Sequence, residues 1–323
     1  MPKHHHPRHA SMQFWPRVRA KKTYARVRSW VSPSKDQILG FIGYKVGMTH
    51  VIAIDTRKTS PSKGEEIFIP VTVVECPPMK IGGIRFYKKT MNLLNPAKDI
   101  LFKMDKEMSR KIVLAKKTHS LDSIKPEDYL DAKLLVYSQP KLAGIGKKKP
   151  EFFELGMNGT IAEKTQFAKE NHDKELFVNT LFKEGEYLDI HAITKGKGLQ
   201  GPVKRFGVPF KPHKSEKGVR RVGTLGAWSG QGHVLYRVPH PGQMGYHMRT
   251  EYNKQIMKIS NKPEEVNPKG DWPHYGKVKS NYLLIYGSIA GAQKRAIIFT
   301  KATRAKTTNL VPTIVEISKE SKN

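Results

Sequence analysis

Histidines, one cysteine and a glycine-rich loop are the features of this 323-residue chain that invite a chemical reading. His4-His5-His6 and the loop histidines His213, His233, His240 and His247 carry rings that bind metals. Their flanks hold no cysteine and no carboxylate spaced to orient a metal-bound imidazole, so no metal site is assigned. Cys76 ends the β-rich run IFIPVTVVE and reads as a small packed hydrophobe rather than a nucleophile. No carboxylate cluster and no acid–base pair stand out, so no catalytic residue and no cofactor are assigned. Gly196-Lys-Gly198-Leu-Gln-Gly201 fits a dinucleotide-binding pattern after an expected strand. That reading needs a helix opening on the phosphate within a βαβ unit. Pro202-Val-Lys-Arg-Phe-Gly207 is not expected to start one, and the pattern is rejected.

Charge points elsewhere. Lys and Arg outnumber Asp and Glu by 58 to 28, a net charge of +30. The excess is concentrated. Residues 1–35 hold nine Lys/Arg and no acid, and residues 194–250 hold eleven with Glu216 as the sole acid. The stretch 36–193 is close to balance, with 25 basic against 21 acidic residues. Cations gathered in segments of low hydrophobicity mark a polyanion partner. No apolar run approaches the ~18–20 residues of a membrane helix, and the basic N-terminus lacks the apolar core of a signal peptide. The basic segments are too rich in Gly and Pro for an interfacial helix, so no membrane is expected as a partner. A single cysteine excludes an intrachain disulfide framework and fits a reducing cytosol.

The elements that must position these cations divide the chain into six. Residues 1–35 form a basic N-terminal extension that resembles no folded element, with Phe14, Trp15, Tyr24 and Trp30 set among its cations. Residues 36–95 begin a β-rich domain: ILGFIGYKVGMTHVIAIDT reads as two short strands around glycine turns, and IFIPVTVVECPP as another. Residues 96–182 form an α/β insertion. In it KDILFKMDKEMSRKIVLAKK reads as an exposed helix, and Thr160-Ile-Ala-Glu163 as a capping box opening IAEKTQFAKENH. Strands are expected near 133–138 and 151–155, and Lys147-Lys148-Lys149 as a solvated turn. Residues 183–193 return to strand. Residues 194–250 form a long internal extension with eleven Gly and five Pro, and 251–323 supply the last strands, YLLIYGSI and AIIFTKAT, with a C-terminal tail.

The two extensions carry the functional expectation. Lys and Arg meet phosphates, Arg also stacks, and aromatics stack on bases. Candidate RNA contacts in the tail are Arg17, Arg19, Lys21, Lys22, Arg26 and Arg28. Those in the loop are Lys195, Lys197, Lys204, Arg205, Lys211, His213, Lys214, Lys217, Arg220, Arg221, Trp228, His233, Arg237, His240, His247 and Arg249. Self-repulsion is expected to hold both segments open in water, with order arriving only on binding. Trp228, in Gly226-Ala-Trp-Ser-Gly230, has two readings: a rigid tip that wedges against nucleotides, or a ring packed on the base of its own loop.

LGFIGYKVGMTH, ITKGKGLQG, GTLGAWSGQGHV and PGQMGYHMRTEYNKQI together resemble the universal large-subunit ribosomal protein L-three family in its archaeal/eukaryotic form. The resemblance spans almost the whole chain. It implies a mainly β fold, a closed translation-protein-type β-barrel carrying an α+β insertion, with long basic N-terminal and internal loop extensions threaded into RNA. It also implies 23S-type rRNA and neighbouring large-subunit ribosomal proteins as partners, a cytoplasmic place in the ribosome, and a role in early subunit assembly. In the family the internal extension approaches the peptidyl transferase centre, and the tryptophan matching Trp228 lies at its tip. A histidine matching His213 is methylated in some eukaryotic relatives. Compared with those relatives, the chain stops soon after IVEISKESKN, so contacts of their longer basic tail are not carried over. The expected function is a structural ribosomal protein and not an enzyme. The alternatives are an RNA-modifying enzyme with a basic substrate arm, for which no cofactor pocket is legible, and a DNA-compacting protein, for which repeated basic helices are missing.

Overall fold

A computed structural model of the chain describes residues 14–30, 38–114, 121, 125–227, 232–305 and 311–320. The backbone is mainly β and divides into two compact units. The larger comprises 23–192 and 249–323, and the smaller 1–22 and 193–248.

The larger unit is built on a seven-stranded sheet. Its strands are β1 (Gly40–Ile54), β2 (Glu66–Glu75), β8 (Tyr187–Ile193), β11 (Met248–Ser260), β12 (Tyr282–Tyr286), β13 (Ala296–Lys301) and β14 (Thr313–Ile317). They run in the order β13-β8-β11-β12-β2-β1-β14, and a further pairing joins β13 to β1. That pairing is antiparallel, Gly40 opposite Thr300 through Tyr44 opposite Ala296. Phe41, Ile42, Tyr44, Val71, Val73, Leu283, Ile285, Ile297 and Phe299 are buried against one another. Where two short strands are expected over 38–56, the chain forms one strand of 15 residues. Its glycines are not turns. At Gly43 a Cβ would stand 2.7 Å from Val74 and 2.9 Å from both Cys76 Sγ and the Phe299 ring, so the residue is small because neighbouring side chains fill the space. Cys76 is buried as expected, and burial pushes its thiol well up from the ordinary range.

A second sheet, in the order β4-β3-β5-β6, is made from β3 (Met79–Thr90), β4 (Leu93–Leu101), β5 (Asp131–Ser138) and β6 (Phe152–Leu155), with β7 (Glu175–Leu176) on β3. The expected strands near 133–138 and 151–155 are present. Helix α1 (Ile161–Asn171) opens on the expected capping box, Thr160 Oγ1 accepting from Glu163 N and Glu163 Oε2 from Thr160 N. Over the described part of the expected helix at 98–117, residues 98–114, no α-helix forms. Residues 98–101 complete β4, and only a 3-10 turn follows at Lys106–Arg110. Cross-strand partners override helical propensity there: Arg85 donates to Asp99 at 2.7 and 2.6 Å, and Phe102 N to Gly82 O at 3.0 Å. The sheet therefore begins with β3, upstream of residue 96.

Glu75, fully buried, holds this unit together. Its Oε1 accepts from Lys279 N, Ser280 N and Ser280 Oγ, and its Oε2 from Gly144 N and Tyr275 Oη. Five donors compensate the desolvation of one carboxylate. Burial, and then the same carboxylate, push the Tyr275 phenol above its ordinary range.

Part of the N-terminal extension is folded, against expectation. Tyr24, Ala25 and Val27 are buried, and Tyr24 Oη donates to Phe152 O at 2.5 Å. Alternating apolar residues let a basic segment lie on a sheet while Arg26 and Arg28 stay exposed.

Candidate nucleic-acid interface

The smaller unit gathers sixteen Lys/Arg, with Glu216 as its only acid. Its frame is a ribbon of β9 (Gly196–Gln200) and β10 (Gly242–Gly245), paired from Gly242 opposite Gln200 to Gly245 opposite Gly196. Gly245 has φ +74°, and a Cβ there would overlap Lys195 O. Only glycine closes the ribbon at that point. A short helix starts at Pro202: α2 spans Pro202–Phe206, with proline in its first turn and Gly207 left-handed at its end. Proline suits that first turn because its missing N–H would have no helical partner. The helix has five residues and no βαβ frame, so the dinucleotide reading still fails.

Aromatic rings and arginine forks pack this unit. Trp15 lies 5.6 Å from Phe206 and 5.7 Å, edge-on, from Tyr236. The Arg17 guanidinium sits 4.2 Å over the Phe206 ring and donates to Arg205 O at 2.6 Å. Arg205 reaches the carbonyls of Gln243, at 3.1 Å, and His240, at 3.0 Å, bridging the helix to the ribbon. Desolvation lowers the Arg205 pKa from its ordinary value. His247 is buried, and its Nδ1 donates to Val18 O at 2.9 Å. Ala20 N donates to Tyr246 O at 2.8 Å, and the Arg19 guanidinium lies 5.5 Å over the Tyr246 ring. The tail and the loop thus organise each other, where both were expected to remain open.

The predicted contact residues fall into separate sets. Arg19, Lys21, Lys22, Lys195, Lys197, Lys204, His213, Lys214, Lys217, Arg220, Arg221, His233 and Arg237 are exposed in this unit. Arg17, Arg205, Lys211 and His240 are half-buried, and His247 is buried. Arg26 and Arg28, exposed, and Arg249, half-buried, belong to the larger unit. Trp228 and His4-His5-His6 lie outside the described residues. Among the described residues between Val208 and the ribbon, Lys211 N donates to Val219 O, Ser215 N to Pro212 O and Val238 N to Leu235 O, and Arg220 lies 5.0 Å over Phe210. Exposed Leu199, Phe210, Leu225, Leu235 and Tyr236 stand among the cations. Sequence reasoning missed Tyr236 and Phe210 as ring surfaces. Their spacing from Arg237 and Lys211 was the available signal.

This arrangement can bind a polyanion by charge and stack on its planar groups. Among the described residues no helix is long and apolar enough to cross a membrane.

Residues 1–318 match the family model described as Ribosomal protein L3. The chain is 43% identical to the large ribosomal subunit protein uL3 of Archaeoglobus fulgidus, over 94% of this chain and 93% of that one. It is 41% identical to the uL3 proteins of Methanococcus vannielii, over 99% and 98% of the two chains, and of Methanocaldococcus jannaschii, over 98% and 97%.

Proposed function

This chain belongs to the ribosomal protein L3 family, and from that premise we propose that it is a structural component of the large ribosomal subunit, bound to 23S-type rRNA and to neighbouring ribosomal proteins in the cytoplasm. It acts by organising RNA and not as an enzyme. The observation that carries the interface is the charge of the smaller unit: sixteen Lys/Arg faced by one acid, eleven of them exposed. Such a surface gains most of its affinity by releasing counterions from phosphates. Specificity comes from RNA shape and unpaired bases, because A-form helices hide their major groove.

The remaining features of the reading are supported as follows. The link between β13 and β1 favours closure of the large sheet into a translation-protein-type barrel that docks on the subunit. The ribbon and α2 act as the rigid root of the internal extension, and the stretch between Val208 and Tyr236 is the part that RNA orders. Trp228, in the Gly-rich tip, is the residue that meets nucleotides near the peptidyl transferase centre. Association with RNA early in subunit assembly follows from a basic loop that needs phosphates to settle.

Sedimentation of lysate ribosomes after a high-salt wash tests the function: the protein is expected to stay with the large subunit, and its release into a free pool overturns the reading. Trp228→Ala tests the tip. Subunit incorporation should persist while peptidyl transfer or A-site binding is perturbed, and normal translation discards that role.

A further inference from the structure

The larger unit carries a second place suited to RNA, apart from the basic loop. A cavity of about 270 Å³ is lined by Ser29, Trp30, Asp189, His191, Tyr252, Thr300, Lys301 and Thr303. Its rim holds an exposed ring: Tyr252 is 53% exposed, with the Arg304 guanidinium 5.5 Å over it. Trp30 is fixed from behind, since its indole occupies the space a side chain at Gly156 would need. The indole Nε1 is buried and has no hydrogen-bond partner among the described residues.

The inner wall is polar but largely neutral. Thr300 Oγ1 donates to Asp189 O at 3.3 Å, so His191 Nε2–H donates to Thr300 Oγ1 and Nδ1 accepts from the Thr250 hydroxyl at 2.9 Å. Burial lowers the His191 pKa, which keeps that tautomer uncharged near neutral pH. Asp189 is already engaged by Asn253 N, Thr303 N and Thr303 Oγ1. Lys301, inside, lies 3.8 Å from Glu186. Arg304 is exposed and stands over Tyr252 at the mouth, and Arg28, also exposed, directly precedes the lining residue Ser29 in sequence. An acidic peptide would bring carboxylates against Asp189, with the inner Lys301 already beside Glu186. An exposed aromatic face at the mouth with a guanidinium over it, above a wall whose polar groups are internally bonded and largely uncharged, matches a stacked nucleobase and its flanking phosphates.

We propose that this cavity receives one unpaired nucleotide of the ribosomal RNA, with its base on the Tyr252 ring and its phosphates on Arg28 and Arg304. The proposal rests on the reading of the chain as an rRNA-binding protein. Ultraviolet crosslinking of large subunits containing the wild-type protein, mapped by mass, is expected to join a nucleotide to Tyr252 or Trp30. In subunits carrying Tyr252→Ala, one short run of rRNA should gain reactivity to 2′-hydroxyl acylation by at least about fivefold, the loss of occupancy that removing a base–aromatic stack implies. Tyr252→Phe should keep the protection, because the ring and not the hydroxyl carries the stack. Crosslinks in the basic loop with none in the cavity overturn the proposal and leave the wider function standing. So does a peptide crosslinked to Tyr252 or Trp30 in place of a nucleotide. Unchanged RNA reactivity in subunits that have incorporated Tyr252→Ala overturns it equally. A wild-type protein that never joins the subunit overturns both.

Discussion

The two units handle charge in opposite ways. The larger has 42 Lys/Arg and 27 Asp/Glu, and its cations are repeatedly answered: Arg85 by Asp99 and Glu154, Lys164 by Asp131, Lys258 by Glu265. Its buried carboxylates are surrounded by donors, Glu75 by five of them. The smaller unit has almost no carboxylates, and its interior arginines turn to backbone carbonyls and aromatic faces. Charge in the larger unit is answered in good part within the chain, although its 42 bases still exceed its 27 acids. In the smaller one it is left for another molecule to complete. That contrast separates a scaffold from an interface without reference to any ligand.

Breaking the scaffold should have the largest effect on stability and little on binding electrostatics. Glu75→Ala strands several buried donors and is expected to cost on the order of 3–5 kcal/mol in chemical denaturation. Glu75→Gln, which keeps one acceptor oxygen, should recover part of that. A loss below ~1 kcal/mol would show that the donors find water instead.

Arg205→Ala should act only on the smaller unit. Loss of the bonds to His240 O and Gln243 O is expected to lower protection of the β9 and β10 amides in hydrogen exchange by about 1–3 kcal/mol, with β1 and β2 unaffected. Arg205→Lys should not restore it, because an ammonium lacks the planar fork. Equal loss in both units would erase the distinction between them.

Arg220→Ala with Arg221→Ala sharpens the other side. Folding stability should stay within ~0.5 kcal/mol, while the slope of log affinity against log salt for rRNA becomes shallower by roughly 1.4–1.8, two phosphates' worth. An unchanged slope argues against phosphate contact at that pair.

The smallest effect belongs to His191. Its pKa is lowered by burial, so the unfolded chain takes up a proton that the folded one refuses. The contribution is present above the unfolded value of ~6.5 and is lost as pH falls below it. Comparison with His191→Asn should show the wild type losing more stability between pH 7.5 and 5.5, by under ~1 kcal/mol for a group only partly buried. A difference of opposite sign would mean that the ring is charged in the fold.

Much was legible in composition and short patterns. Thr160 and Glu163 announced their helix, alternation announced β8, strand-like runs announced β5, β6, β12 and β13, and charge separated the extensions from the rest. Errors fell where distant partners outvote local signals. Gly43 looked like a turn because its reason for being small, Val74, Cys76 and Phe299, lies elsewhere in sequence. Residues 98–101 looked helical because Arg85, their strand partner's anchor, is invisible to periodicity. The candidate interface was read as a list of equal cations. Arg205, His247 and Arg17 instead serve inside the unit.

The sequence by itself determined that this chain meets a polyanion and where the cations lie along it, since net charge and its segregation do not depend on folding. Tertiary structure alone decided which cations face outward, that the tail and the loop share one small core, and that Tyr252, Trp30 and His191 meet around a cavity. Those outcomes depend on contacts between residues hundreds of positions apart. No local propensity encodes which of many such contacts packing will satisfy.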